Sequence, residues 1–450
     1  MISTRNKIFI VVLMASGFIG SLSQNLLTSA LPSIMATFGI TAAVGQWLTT
    51  SYILFMGVMT AVSAYMFYRF PTKKLVLASL GIFAAGCLID LFAPYFGLLL
   101  VGRLIQALGA GPLIPLLQIA VMYIFPPDHQ GEALGLTGII VGFAPAIGPT
   151  LSGLLVDAFG WRSIFVFLIG FAGLLFAAGL FSLRELGERV RMPLDGRSLI
   201  LYSAGFTSFM LAVTFMKSGN PVRPSILLLF ALGAVTLTIF VRRQGRLETP
   251  LLKLSLLRTQ SLVFGSLLLG TMYFMNMAGT ILVPLFNQTI CPYSPTVSGL
   301  ILLPGSLLIA LLSHFSGKLV DRYGAKAICL CGMALMLAGN LPFVFFTETA
   351  GAAAITLAYA VRCLGVTFLM TPSSVLAMQD LSLEDKPYGN AILHSARQMS
   401  GALLSTILVV IATIASATEH IDAGGMHVAF AVMAGASVLG ILLTMRIKNR

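Results

Sequence analysis

The chain has 450 residues, of which 58% are hydrophobic and only 9% are charged, and it carries a net charge of +12. Soluble domains contain about 25% charged residues, so this composition excludes a water-soluble globular protein and indicates a polytopic membrane protein. The positive charge predicts no nucleic-acid partner, because the basic residues are dispersed over short loops; they fit topology signals and contacts with anionic membrane lipids.

Apolar segments that are each long enough for one spanning helix follow one another along the whole chain. In chain order they cover residues 8–31, 46–67, 75–93, 97–125, 133–156, 163–183, 198–216, 225–241, 261–286, 297–317, 326–346, 352–378, 391–415 and 427–445. The sequence therefore predicts an all-α integral membrane protein with fourteen transmembrane helices. The loops are too short for a soluble catalytic domain, so any functional site is expected between the helices.

The basic residues fall mainly in alternate loops. The side of the membrane that holds both termini carries 21 of the 27 Lys and Arg, and the other side carries only Arg162, Lys217 and Arg223. Because short cytoplasmic loops are enriched in Lys and Arg, we expect both termini to be cytoplasmic. The first apolar segment is too long for the core of a cleaved signal peptide, and it predicts a retained first helix.

The cysteines predict no disulfide framework. Cys87, Cys329, Cys331 and Cys363 lie in predicted spans, and only Cys291 lies in an outer loop. The sequence also lacks metal-ligand spacing, so we expect no metal and no other cofactor. It shows no nucleophile–base pair and no phosphate-binding loop, so we do not expect an enzyme.

Similar segments recur at nearly the same distance in the two parts of the chain. Arg69 and Arg322 are 253 positions apart, and Arg103 and Arg362 are 259 positions apart. Two similar offsets suggest two related halves. We predict a six-helix bundle over residues 1–184, two additional helices with a cytoplasmic connector over residues 185–260, and a second six-helix bundle over residues 261–450.

Four stretches resemble the major facilitator superfamily, and within it the fourteen-span drug:proton antiporters. They are Ala30–Ile34 (ALPSI), Arg103–Gly111, Gly142–Gly153 and Gly317–Lys326. Gly142–Gly153 resembles the motif that is specific to the antiporters of this superfamily. The resemblance covers essentially the whole chain and implies a multidrug exporter that works by alternating access and proton exchange.

The fifth predicted span also has physical features that suit a moving interface. Its glycines remove side chains at nearly helical spacing, so a neighbouring backbone can approach, and its two prolines favour a bend. These conformational residues are Gly142, Pro145, Gly148, Pro149 and Gly153. Ordinary packing of a membrane helix is the alternative explanation.

The charged segment Gly317–Lys326 is predicted to be a short loop. The resemblance implies that Gly317, Asp321 and Arg322 help to latch the cytoplasmic helix ends in one state; the alternative is a loop that only sets topology. The corresponding loop of the first half has Tyr68 where the family has Asp, which puts a latch there in doubt.

Arg103 is the strongest single candidate for a functional residue. An arginine inside a span is costly unless it is paired or hydrated, and the resemblance implies a role in proton transfer. Gln106 lies one helical turn away and shares its face. Arg362 has the same position in the second half, whereas we expect Arg397 near the cytoplasmic interface in a structural role.

The proton carrier is less clear, because Ser23 occupies the position where the family has an acid in span one. Asp90 is the one acid predicted inside a span, although it could equally be a hydrated helix end, and Asp157 lies at the outer end of span five. His314 and His394 are alternatives, since histidine titrates near neutral pH.

Polar residues of the central spans are the candidate contacts for a small amphiphilic substrate: Gln24, Asn25, Gln118 and Asn276. The Met-rich segment Met272–Met277 suits varied apolar ligands. The sequence leaves open an exporter of one endogenous metabolite, such as a siderophore or lipid-like compound, and a non-transporting membrane sensor or assembly protein. We expect a bacterial inner membrane, and cooperation with a periplasmic or outer-membrane partner stays open.

Overall fold

The structure is a computed structural model that describes residues 4–40, 42–45, 47–126, 129–186, 195–217, 224–247, 250–291, 293, 295–416 and 422–447. The regular structure of these residues is helical, as predicted. Their α-helices are α1 Thr4–Phe38, α2 Ala42–Gly45, α3 Trp47–Arg69, α4 Thr72–Leu91, α5 Phe96–Ala110, α6 Leu113–Ile124, α7 Gln130–Phe159, α8 Ser163–Ser182, α9 Gly196–Lys217, α10 Pro224–Gln244, α11 Gln260–Leu285, α12 Pro295–Tyr323, α13 Ala325–Asn340, α14 Ala352–Met378, α15 Lys386–Ala415 and α16 Ala423–Met445.

Eleven helical segments of the described residues are long and apolar enough to cross a membrane. α5 and α6 form one of them, because the backbone at Gly111 and Pro112 keeps right-handed helical dihedral angles between the two. The three other predicted spans coincide with α7, α9 and α15, which have 30, 22 and 30 residues. An integral membrane protein is confirmed, and the exact number of fourteen spans stays a prediction.

Two helices extend beyond the predicted spans. α12 continues to Tyr323, so most of Gly317–Lys326 is helical and the predicted loop is wrong. The helix stops at Gly324, whose φ of 81° is a conformation that glycine adopts without a steric penalty. α15 begins at Lys386, well before the predicted start at Ala391, and Pro387 lies in its first turn, where a missing N–H costs little.

Two helix pairs make the most extensive contacts between the first part of the chain and the last. α7 packs along α12, and α3 packs against α15. In the predicted repeat, each pair joins the second span of one half to the fifth span of the other. The packing therefore follows the pattern that a repeat requires, while the division into two bundles stays a prediction.

The two additional helices pack on each other and beside one of these contacts. α9 lies against α10, α15 and α3. Tyr202 of α9 donates a hydrogen bond to Ser395 Oγ of α15 at 3.3 Å. The Phe206 ring of α9 fills the space above Gly57 of α3, where an added Cβ would lie 2.7 Å from the ring. α9 thus covers one edge of the α3–α15 contact.

Candidate functional site

A buried polar network surrounds Arg103, whose side chain has no exposed surface. Its Nη1 donates a hydrogen bond to Ser23 Oγ of α1 at 2.8 Å and another to Gln106 Oε1 at 2.6 Å. Its Nε donates to the carbonyl oxygen of Leu48 at 3.5 Å, and its Cζ lies 4.1 Å from the centre of the Tyr52 ring. The arginine thereby connects α5 to α1 and α3.

Asp90, the second-last residue of α4, completes this network. Gln106 Nε2 donates a hydrogen bond to Asp90 Oδ2, so the glutamine amide bridges the arginine and the carboxylate. Asp90 has no exposed surface, and the alternative of a hydrated helix end is therefore wrong. The structure brings Asp90, Arg103 and Gln106 together, with Ser23 of α1 as the fourth member.

A close approach of α4 and α5 makes room for the carboxylate. A Cβ at Gly102 would lie 1.9 Å from Asp90 Oδ1, and a Cβ at Gly86 would lie 2.6 Å from the backbone nitrogen of Gln106. Asp90 Oδ1 and Arg103 Nη2 have no hydrogen-bond partner in the structure. The site thus contains a carboxylate, Asp90, and a cation, Arg103, and each has one atom that can still form a hydrogen bond.

Arg362 of α14 lies outside this network. It is fully buried, and its Nη2 donates to the carbonyl oxygen of Met275 and to that of Asn276, the latter at 3.3 Å. Gly279 of α11 and Gly339 of α13 give it space, since an added Cβ at either would collide with Arg362 atoms. These bonds of Arg362 go to backbone, so it links helices of the second half.

His314 is also separate from the Asp90 network. Its Nε2 lies 3.4 Å from Glu132 Oε1, and Lys318 Nζ lies 3.4 Å from the same oxygen. Glu132 is on α7, whereas His314 and Lys318 are on α12. The structure therefore places the histidine at a polar contact between the two parts of the chain.

Asp321 forms the most direct polar link between α12 and α7. Its Oδ1 accepts a hydrogen bond from the N–H of Gly131 at 3.0 Å, and its Oδ2 accepts one from the N–H of Glu132 at 2.9 Å. These are otherwise unpaired amides at a helix N-terminus, where negative charge is favoured. Arg322 stacks on the adjacent Tyr323 ring at 5.2 Å, so of the expected latch residues Asp321 and Arg322 it is Asp321 that bonds to α7.

The first half has a different contact at the corresponding place. Tyr68, the residue that replaces the family aspartate, donates a hydrogen bond to the carbonyl oxygen of Glu384, just before α15. Its ring stacks on that of Tyr388, with centres 5.4 Å apart and planes at 28°. A buried tyrosine pair, and not a carboxylate, thus makes the contact between α3 and α15, and a latch at this place stays a prediction.

The glycines of α7 have unequal surroundings. Gly148 touches Asn25 of α1, and Gly135 touches the Ser313 carbonyl of α12; added Cβ atoms would lie 2.6 and 2.7 Å from these neighbours. Gly317 approaches Gly131 in the same way, with 2.1 Å to its carbonyl oxygen. Among the described residues, no atom lies within 4 Å of the position that a Cβ at Gly153 would take, so the close approach predicted there is not found in this part of the structure.

Three further residues of the predicted motif, Gly142, Pro145 and Pro149, lie in α7, but their side-chain surroundings fall outside the described residues.

Two small cavities lie between α3, α5, α6 and α7 on one side and α11, α14 and α15 on the other. Counted together with space that opens to solvent, their empty volumes are about 350 and 260 Å³, and Arg397 of α15 lines both. Gln118 of α6 lines the smaller one and shares a hydrogen bond with His394, which lines the larger. Arg397 lies about three helical turns after the start of α15 at Lys386, and its expected position near the cytoplasmic interface stays a prediction.

Of the predicted substrate contacts, only Gln118 is among the described residues that line these cavities. Asn25 donates to the Ser21 carbonyl at 2.8 Å within α1, and Gln24 and Asn276 are half-buried elsewhere. The prediction missed Arg397 and Gln398. The polar residues that precede Ala391 already belong to α15, and a helix that starts there would have indicated that Arg397 lies within it.

Comparison with known proteins gives the family of this chain. A profile of the Major Facilitator Superfamily matches residues 13–406. The chain is 32% identical to "Uncharacterized MFS-type transporter YcnB" of Bacillus subtilis (strain 168), over 98% of this chain and 95% of that protein. It is also 32% identical to "Lincomycin resistance protein LmrB" of the same organism, over 91% of this chain and 85% of that protein.

The fold agrees with a solved structure at low sequence identity. The proton:xylose symporter XylE superposes with a TM-score of 0.70 at 13% identity, over 99% of this chain and 96% of that one. The family profile covers most of the chain, and the relatives cover nearly all of it at about one-third identity. The chain therefore belongs to the Major Facilitator Superfamily, whose members are membrane transporters of small molecules and not enzymes.

Proposed function

We propose that this transporter exports small amphiphilic molecules by alternating access and that the inward movement of protons drives the export. The observation that carries the proposal is the buried carboxylate of Asp90, which Gln106 bridges to Arg103 and Ser23. Support also comes from the relative LmrB, whose name assigns lincomycin resistance to that protein.

The physical basis of coupling is the charge of this buried cluster. With Asp90 ionised, its negative charge balances that of Arg103; protonation leaves a buried, uncompensated guanidinium, which is costly in a low-dielectric environment. The cluster can lower this cost by rearranging Arg103 relative to Ser23 of α1. Protonation of Asp90 would thus displace α1 relative to α4 and α5.

The helix-end contacts supply the second part of the mechanism. Asp321 holds α12 to α7, and Tyr68 holds α3 to α15, at helix ends that the charge distribution predicts to be cytoplasmic. Each contact consists of one or two hydrogen bonds at a helix end, so rocking of two six-helix bundles can break it. We propose that residues 1–184 and 261–450 are these bundles, with residues 185–260 between them.

The test is transport by the purified protein in liposomes with an imposed pH gradient. Efflux is followed for a panel of cationic, neutral and anionic amphiphiles, with Asp90→Asn as the test variant and Asp157→Asn, an exposed carboxylate, as the matched control. We expect movement of several compounds that the gradient drives and that only Asp90→Asn abolishes. Movement of a single compound would favour a dedicated exporter, and equal transport by both variants would contradict the role of Asp90.

A further inference from the structure

Arg397 lies at the centre of the contact between the two parts of the chain. It lines both cavities, which together are walled by helices from the first and the last part of the sequence. Its Nε has neither solvent exposure nor a hydrogen-bond partner. Arg397 is half-buried as a whole, but a ligand that accepts a hydrogen bond from this Nε would relieve the cost of burying a polar group without a partner.

The two fully buried arginines, Arg103 and Arg362, make hydrogen bonds, although each also keeps at least one nitrogen without a partner; among the described residues Arg397 has a ring contact and no hydrogen bond. Arg103 bonds to Ser23 and to Gln106, which joins it to Asp90, and Arg362 bonds to backbone carbonyl oxygens. The Cζ of Arg397 lies 5.0 Å from the centre of the Tyr273 ring, and a planar acceptor could bond to the edge of the guanidinium that carries the unpartnered Nε. Arg103 and Arg362 thus serve coupling or structure, whereas Arg397 lines the two cavities.

The residues that line the cavities suit an anionic group that carries an apolar body. None of the described residues that line the two cavities is an acid. Neutral hydrogen-bonding side chains surround the arginine, among them Gln118, Thr137, Thr371 and Gln398, while Met56 and Met370 supply adaptable apolar surface. A cationic ligand would meet the like charge of Arg397, whereas a carboxylate would gain a charge-assisted, bidentate contact.

We propose that Arg397 binds the carboxylate of an anionic amphiphile and that the exported compounds include organic acids with an apolar body. The inference rests on the proposed function, since it names the substrate class of the central site. Gln118 and Gln398 then donate amide hydrogen bonds to the same group, and the methionines contact the apolar body.

The binding test uses matched acids and esters, because a methyl ester removes the negative charge and keeps the apolar body. The probes are tritiated N-dansyl-leucine and naphthylacetic acid, each with its methyl ester. Equilibrium dialysis against the full chain in lipid nanodiscs measures binding, and empty nanodiscs correct for partition into lipid. We expect each acid to bind more tightly than its ester.

The variants locate the charge that is responsible. Arg397→Gln is expected to weaken binding of the acids by about tenfold or more and binding of the esters much less, because it removes one partner of a buried charge pair. Arg397→Lys should keep part of the preference as a point charge. Arg446→Gln, a change of the same type at the end of α16, serves as the control, and the unfolding temperature of each variant reports folding.

Two results would overturn the inference: equal affinity for acid and ester, or a folded Arg397→Gln protein that keeps the preference. Absence of binding by every probe would overturn it as well. The assay needs no pH gradient, so its outcome is distinct from that of the transport experiment. Charge-selective binding without gradient-driven efflux would refute proton-driven export and leave the anion site standing.

Discussion

The carboxylate of Asp321 on α12 accepts a hydrogen bond from the backbone N–H of Gly131, the second residue of α7, at 3.0 Å. A side chain of one part of the protein thereby caps a helix of the other. The cap depends on glycine, since a Cβ at Gly131 would lie 2.4 Å from Asp321 Oδ1. The contact joins a charge, a helix dipole and a close backbone approach at one point, which makes it a sensitive place to alter the conformational equilibrium.

Asp321→Asn should loosen this end of the transporter. The amide keeps the shape but loses the negative charge at the N-terminus of α7, worth about 1 kcal/mol, which corresponds to a roughly fivefold change in a conformational equilibrium. Pulsed electron resonance between spin labels at Phe70 and Tyr323 measures the separation of the two parts. We expect a larger population at long distance, and Asp157→Asn, at the other end of α7, should leave the distribution unchanged.

Tyr68→Phe and Tyr68→Ala should separate the two contributions of the tyrosine contact. Phenylalanine loses the hydroxyl, which bonds to the Glu384 carbonyl and also to Tyr123, at a cost of about 1 kcal/mol, whereas alanine also loses the stacked pair with Tyr388, about 1 kcal/mol more. Hydrogen exchange at the first turn of α15 should therefore accelerate moderately in the first variant and more in the second. Equal exchange in all three proteins would mean that Tyr68 does not hold α15.

The sequence predicted those parts of the site that depend on helical periodicity. Arg103 and Gln106 are one turn apart, so their shared face follows from the pattern alone. Their contact with Asp90 depends on how α4 meets α5, and that in turn depends on Gly102, whose importance appears only when the facing carboxylate is located. A single-chain pattern does not contain this information.

Two residues show the limits of hydropathy and of family resemblance. Arg397 was assigned near the interface because apolarity begins at Ala391, whereas the preceding polar turn is already helical and the arginine lines two cavities between helices. Tyr68 was judged a degraded motif position because the family has an acid there. The structure shows that an aromatic pair makes the contact instead, which a search for charge does not find.

Gly102→Ala should disrupt the Asp90 network without adding any polar group. The new Cβ would lie 1.9 Å from Asp90 Oδ1, so the carboxylate must move, and such overpacking costs about 1–3 kcal/mol. We expect a lower unfolding temperature and loss of gradient-driven transport. Gly81→Ala on α4 is the matched control, because no atom lies within 4 Å of its Cβ position and alanine favours helix. Normal transport by Gly102→Ala would show that the position of Asp90 is not critical.

Asp195→Asn should affect stability in a pH-dependent way and leave transport intact. Asp195 precedes α9 and makes two contacts of 2.9 Å with Arg243 at the end of α10, and these hydrogen bonds lower the pKa of the carboxyl to about 2. A carboxyl whose pKa is lower in the folded state stabilises that state above its unfolded pKa of about 3.9 and loses this contribution as the pH falls toward 2. The effect should be small, because the pair is partly exposed.

The measurement is the unfolding temperature of the wild-type protein and of Asp195→Asn at pH 6, 4 and 3. We expect the wild-type advantage to be constant between pH 6 and 4 and to shrink at pH 3, because protonation removes the charge that Arg243 pairs with. High salt at pH 6 should reduce the same advantage by screening the pair. A difference that is independent of both pH and salt would contradict a contribution from the ion pair and leave the hydrogen bond that Gln244 Nε2 donates to Ser198 Oγ, at 2.7 Å, as the tie between the end of α10 and the start of α9.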